Sequence, residues 1–227
     1  MAPPLGAHHI GRTMKTSHVL AALAPLVLVL ACHDPSKDQA AATVGSALPV
    51  ASATSPGAST QLAITPATSK IEWTGSKVTG SHDGSFSSFD GTIDWVDANP
   101  EKSKVTVEID AATLTTAPEK LVGHLKSPDF FDVVKFPKAQ FVSTSVKAGG
   151  DKGATHTITG NLTLHGVTKS IAFPATLKGT AHSVDADATF TLDRKDFGLD
   201  YPGKADDLIR DGVVIRLKIH AEKKNAT

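Results

Sequence analysis

Stretch after stretch of this chain alternates apolar and polar side chains with a period of two, and that alternation limits the fold more than any other feature. In KVTVEID, Val105, Val107 and Ile109 fall on one face while Thr106, Glu108 and Asp110 fall on the other. Ile158, Leu162 and Leu164 repeat the pattern in ITGNLTL, Ile171 and Phe173 in SIAF, and Val184, Ala186, Ala188, Phe190 and Leu192 in SVDADATFTL. Near the end, Val213, Ile215, Leu217 and Ile219 alternate with Val214, Arg216, Lys218 and His220. Successive side chains of a β-strand point to opposite faces, so each stretch reads as a strand with one dry side and one wet side. Turn-forming clusters, KAGGDKG at 147–153, HGVTK at 165–169 and KGTAH at 178–182, part these runs closely enough for antiparallel hairpins. One-sided strands joined by hairpins make a sandwich or a closed barrel, and only the barrel leaves no free edge. Helical spacing is convincing in one place, APEKLVGHLKSPDFFDV. There Pro118 suits a helix start, Leu121, Val122 and Leu125 form a short stripe, and Pro128 blocks continuation. This segment predicts one short helix lying against an opening.

The N-terminal part follows different rules. Val19 to Ala31 is an uncharged apolar run of about thirteen residues, interrupted by Pro25, whereas a spanning helix needs about twenty. Arg12 and Lys15 precede it and the chain's single cysteine, Cys32, ends it, which is the layout of an export signal over residues 1–32. One thiol forms no internal disulfide. The tetrapeptide Val29, Leu30, Ala31, Cys32 resembles the lipobox of bacterial lipoproteins, a resemblance that implies acylation of Cys32 and a lipid anchor. The alternative is an ordinary cleaved signal with an incidental cysteine. Residues 33–60 are rich in Ala, Ser, Thr and Pro, with too little apolar bulk to fold, and are expected to be a disordered tether. Such a tether would span about 30 Å. Residues 61–223 have the length of one domain, and 224–227 form a tail. Without residues 1–32, which carry Arg12 and Lys15 and no acid, 21 basic side chains face 23 acidic ones. A net charge of −2 argues against a nucleic-acid partner.

Motifs of catalysis are missing. Asp196, Phe197 and Gly198 spell the kinase DFG triplet, but neither a Gly-rich loop nor an HRD loop accompanies it. There is no GxSxG elbow and no Walker sequence. The histidines beyond residue 32, His33, His82, His124, His156, His165, His182 and His220, are scattered without metal-ligand spacing, so no metal site is expected.

Four stretches carry a family likeness: GSHDGSFSSFDGTI at 80–93, LVGHLKSPDFFDVVKFPKAQF at 121–141, GNLTLHGVTKSIAFP at 160–174 and TLDRKDFG at 191–198. In this order they resemble the YceI family of bacterial lipid-binding proteins. The resemblance implies an all-β fold, an elongated eight-stranded antiparallel lipocalin-like barrel with one short helix, around a cavity for a long isoprenoid or fatty chain. An eight-stranded barrel is wide enough either to be packed solid or to hold one small ligand. Small residues on the apolar faces, Gly160, Ala186 and Ala188, would leave room.

The expected cavity wall comprises Trp73, Phe86, Phe89, Val107, Ile109, Leu121, Leu125, Phe130, Phe131, Phe141, Leu162, Leu164, Phe173, Phe190, Ile215 and Leu217. His124, inside the helical segment, is a candidate headgroup contact as well as a candidate structural histidine. The leading reading is a non-enzymatic, membrane-tethered carrier, store or scavenger of a lipid, an isoprenoid quinone or prenyl lipid being the expected class of non-covalent ligand. It would be exported and lipid-anchored in the bacterial envelope, on the periplasmic face of the outer membrane. The other readings are a structural or stress-related barrel with a filled core and an enzyme acting on a lipid.

Overall fold

The computed structural model describes residues 34–50 and 59–223. Its strands in chain order are β1 (Ala40–Ala41), β2 (Thr43–Ser46), β3 (Thr60–Ile64), β4 (Lys70–Lys77), β5 (Gly80–Phe86), β6 (Phe89–Trp95), β7 (Lys104–Asp110) and β8 (Leu114–Thr116). Helix α1 (Glu119–Lys126) follows, then β9 (Lys138–Ala148), β10 (His156–Leu164), β11 (Val167–Gly179), β12 (Ser183–Asp193), β13 (Gly203–Lys204), β14 (Asp207–Leu208) and β15 (Gly212–Glu222). Pairing explains how these pieces make a ring. Along one side of β15 lie β4, paired from Val214↔Thr74 to Lys218↔Lys70, and β3, paired at Glu222↔Ala63, so β3 and β4 act as one strand interrupted at 65–69. In the same way β5 and β6 share one place in the wall, and β7 and β8 another. β9, β10, β11 and β12 continue the wall, and β12 closes it on the far side of β15, from Ser183↔Glu222 to Asp193↔Gly212. The result is the expected closed antiparallel barrel of eight strand positions with one helix.

Local chemistry sets the ends. The loop between β10 and β11 is only His165 and Gly166, and both have positive φ (51° and 75°), the type I′ geometry that matches the twist of paired strands. Helix α1 starts directly after Pro118 and stops before Pro128, and it lays Leu121, Val122 and Leu125 against Trp73, Leu114 and Phe130 at one end of the barrel. The DFG triplet is structural. Asp196 receives Lys169 Nζ at 3.0 Å, Phe197 is fully buried, and Gly198 (φ 71°) ends the 3-10 turn Arg194–Phe197.

The expectation of a disordered tether over 33–60 fails for its described residues, 34–50 and 59–60, the last of which already opens β3. β1 lies parallel to β12 (Ala40↔Phe190) and β2 antiparallel to β11 (Val44↔Ile171). Composition misled because this segment is held by backbone hydrogen bonds to two strand edges rather than by large apolar side chains. Residues 1–33, which include the expected signal and Cys32, and the tail 224–227 lie outside the described residues.

Asp34 anchors the start of this segment. Its carboxylate accepts the Ser36 hydroxyl at 2.7 Å and the Ser36 amide at 3.1 Å, and faces Arg210 Nη1 at 3.2 Å. Burial pushes the carboxyl up, but the Ser36 hydrogen bonds and the Arg210 and Lys37 charges outweigh it and hold it below the usual carboxylate range. A depressed folded-state pKa adds stability above about pH 4 that is lost as the pH falls through the folded value. Wild-type protein is therefore expected to lose more stability than Asp34→Asn between pH 5 and pH 3 in urea unfolding. Parallel losses in the two proteins would refute the assignment.

Candidate functional site

The inward faces of the strands enclose a cavity of about 580 Å³. Its wall follows from the period-two rule: Ile71 and Trp73 on β4, Val105, Val107 and Ile109 on β7, Ile158, Leu162 and Leu164 on β10, and the alternate apolar residues of β11, β12 and β15 all reach it. β9 breaks the rule. Its pairing with β10 jumps from Ser143↔Gly160 to Ser145↔Thr159, a one-residue bulge that switches faces, so both Phe141 and Val146 reach the cavity.

Three large rings rest on glycines, Trp73 and Phe141 on those of a neighbouring strand, and Trp95 of β6 by crossing the lumen to β11 on the opposite side. A Cβ placed on Gly84 would come within 2.2 Å of Trp73 Cζ2, one on Gly179 within 2.2 Å of Trp95 Cζ2, and one on Gly160 within 2.5 Å of Phe141 Cζ. Each ring lies over a bare glycine backbone. Gly160, expected to leave room for a ligand, is thus covered by Phe141. Ala186 and Ala188 do line the cavity.

All of the expected wall residues line it except Phe89. That residue opens β6 beside the break at 87–88 and is 5 % exposed, its ring used up in a cluster with Leu62, Ile64, Ile71 and Ile93. The inner face is not packed solid, in contrast to a filled core. Ile93 and Trp95, on the apolar side of FDGTIDW, also line the cavity, and their alternation with Phe89 was the signal available for them.

The cavity is polarised. Trp95, Pro100 and Ser103 close one end, where the Ser103 hydroxyl accepts from the Val96 amide at 2.9 Å. The charged and imidazole-bearing lining residues, Lys77, His82, His124, Arg194, Lys204, Asp207 and Arg210, belong to the other end, with Tyr201. There the β13–β14 hairpin is tied to the β4–β5 turn. Asp207 takes Lys77 Nζ, the Thr79 amide at 3.1 Å and the Thr79 hydroxyl at 2.9 Å, and the Lys77 hydrogen bond chiefly holds its carboxyl below the usual range. His124 sits at this mouth with Nε2 3.0 Å from Asp129 Oδ2 and its ring edge-on to Phe130 (5.0 Å) and Tyr201 (4.9 Å). It is at once held structurally and part of the lining.

Arg194 organises the mouth from within. Only 5 % exposed, it donates from Nε to the Arg210 carbonyl at 3.1 Å, from Nη1 to the Leu199 carbonyl, and from Nη2 to the Ile209 carbonyl and Asp211, both at 3.3 Å. One planar fork thereby pins residues 199–211 to the end of β12. Nothing in the alternation marks a charged residue as buried, so this role was not legible beforehand. The indole N–H groups of Trp73 and Trp95 are buried without an acceptor among the described residues. Such a group costs about 1–3 kcal/mol until it is paired. Among those residues no three His, Cys, Asp or Glu side chains are grouped to hold a metal, and no helix is long and apolar enough to cross a membrane.

Comparison with known proteins adds lineage to this geometry. The sequence profile of the YceI-like domain matches residues 62–221. A UPF0312 protein of Pseudomonas putida strain F1 is 44% identical over 126 residues, which cover 53% of this chain and 65% of the relative. A UPF0312 protein of Pseudomonas fluorescens strain SBW25 is 41% identical over the same shares, so the chain spans less than two thirds of the length of these relatives. Among solved structures, BcnA of Burkholderia cenocepacia superposes with a TM-score of 0.62 at 20% identity, over 69% of this chain and 98% of that one. A polyisoprenoid binding domain from Saccharophagus degradans, implicated in plant cell wall breakdown, gives 0.58 at 16% identity, over 74% and 100%. At such identities the likeness is one of fold.

Proposed function

We propose, from the premise that this chain belongs to the YceI-like domain family, that its barrel holds one long isoprenoid or fatty lipid, tail toward Trp95 and polar end toward His124, Tyr201, Lys204 and Arg210. The observation that carries this reading is the polarised cavity: an apolar wall along the lumen, with its charged groups gathered at one end. Its volume falls within the roughly 300–1,000 Å³ of small-molecule sites. Burying a CH₂ group contributes about 0.8 kcal/mol, so a five-carbon unit contributes about 4 kcal/mol. A few units offset the ordering of a floppy chain without any ionic contact. The polyisoprenoid binding of the Saccharophagus relative supports the same class of ligand. Holding rather than turnover is the proposed role, with an isoprenoid quinone or prenyl lipid as the class of ligand.

Mass spectrometry of an organic extract from natively purified protein tests this. A stoichiometric lipid with an alkyl or repeating five-carbon series is expected. A clean extract, together with no uptake of added geranylgeraniol or palmitate, would sink the proposal.

The proposal extends to place. Acylation of Cys32 would anchor the protein in the bacterial envelope, because several acyl chains on one terminus exceed the two signals that stable anchoring takes, and His33 rather than Asp after the cysteine favours, by analogy with bacterial lipoproteins, the periplasmic face of the outer membrane. Cys32→Ser is expected to move the protein from the membrane to the soluble fraction. Unchanged fractionation would refute the anchor and leave the cavity reading intact.

A further inference from the structure

β11 and β12 are paired only between Thr176↔Asp187 and Gly179↔Val184. Beyond that level they part, and residues 40–46 fill the parting. β1 runs along β12, the Ala42 amide donates to the Thr191 carbonyl at 2.8 Å, and β2 runs along β11 from Thr43↔Ala172 to Ser46↔Lys169. The pairing of β1 with β12 is parallel, in a barrel whose ring is otherwise antiparallel. On the lumen side the same parting is spanned by two rings. Phe173 of β11 and Phe190 of β12 stack at 4.4 Å between centroids and 16° between planes, and both line the cavity.

We propose that residues 40–46 form a strap over a side door of the barrel, and that a lipid enters and leaves the lumen between β11 and β12 when the strap lifts and the Phe173–Phe190 stack turns aside. The inference rests on the lipid-holding reading above. Of all neighbouring strand positions in the ring, β11 and β12 share the shortest direct ladder, shorter even than the five pairs between β7 and β9, so widening this seam breaks the least pairing. The strap is lightly held. Its side chains are Ala40, Ala41, Ala42, Thr43, Val44, Gly45 and Ser46, of which only Ala42 and Val44 pack on the apolar cluster around Phe173 and Phe190. Segments with so little apolar burial open locally far more often than the core does. Its ends, in contrast, are fastened. Asp34 meets Arg210, the Thr191 hydroxyl donates to the Ser36 carbonyl at 2.8 Å, and the Asn161 side chain exchanges two hydrogen bonds with the Leu48 backbone at 2.7 and 2.8 Å. A strap fastened at both ends lifts in the middle and returns. End-on passage is harder for an apolar chain, because it leads past Lys77, Lys204, Asp207 and Arg210 and between His124, Phe130 and Tyr201.

A reversible lock tests the door. In a Cys32→Ser background, a disulfide is built at whichever of Thr43/Ala172 and Val44/Ile171 closes, since narrow and wide pairs alternate along an antiparallel ladder. Uptake of all-trans-retinol, a fluorescent isoprenoid alcohol, from phosphatidylcholine vesicles is expected to slow at least tenfold when the lock is oxidised and to recover on reduction. Equal uptake rates in the two states would overturn the door. Hydrogen exchange of the unlocked protein supplies a readout without ligand: the amides of Thr43–Ser46 are expected to exchange at least a hundredfold faster than those at the centre of β10, and equal protection would overturn the strap. If no form takes up retinol, the lipid-holding reading fails for this class, and the exchange rates still decide whether the strap lifts.

Discussion

Ala188→Trp is expected to lower lipid retention at least tenfold while the barrel still folds. Ala188 is 8 % exposed and lines the lumen on β12, two residues from Phe190, so an indole at this position would project into the space a ligand chain would use. In a barrel packed solid the same change would overpack the core and cost about 1–3 kcal/mol of stability. The two cases separate when thermal unfolding and bound lipid are measured on one preparation. Retention equal to wild type in a folded variant would place the ligand elsewhere.

Arg194→Ala should be the most destabilising single change at the mouth, by about 3–5 kcal/mol, since removing one member of a buried, charge-assisted network strands its partners. The carbonyls of Leu199, Ile209 and Arg210 would lose their donor together, and the loop from 199 to 211 its attachment. For a domain of this size the loss corresponds to a fall in Tm of about 10 °C. Arg194→Lys should recover less than half of it, because an ammonium cannot present a planar fork to several acceptors at once. A shift under about 2 °C for the alanine variant would mean that backbone bonds alone hold the loop.

Much of the barrel was legible because its strands have one wet face. The inner residues of β7, β10, β12 and β15 could be named from alternation, and each reaches the lumen as its register requires. The helix was legible from two prolines. Three things were not. The bulge in β9 reverses faces without any residue type that announces it. Phe89 keeps the apolar periodicity of β6 and is nonetheless used up at a kink. Residues 34–50 look like a linker by composition, and they are ordered by strand edges that a one-dimensional reading does not see. Arg194 belongs to a stretch that carried the family likeness, but a likeness names a residue without giving its burial or its partners. Most of the wall residues were therefore within reach of pattern, whereas the devices that shape its mouth and its flank depend on contacts between distant parts of the chain.

The indole of Trp95, laid over Gly179, gives the barrel an adjustable depth. Aliphatic exchanges along the wall, Ile for Val or Leu for Ile, alter the bore by a methyl group here or there. A methyl group added at Gly179, where the three nearest atoms all belong to Trp95, would instead lever a whole indole off its seat and into the channel. At Gly84 and Gly160 the same methyl would also meet a backbone carbonyl at 2.5 Å, so ligand length in descendants of this chain should track position 179 more closely than the hydrophobicity of the strands, and a change of cargo is open to a lineage through that one codon.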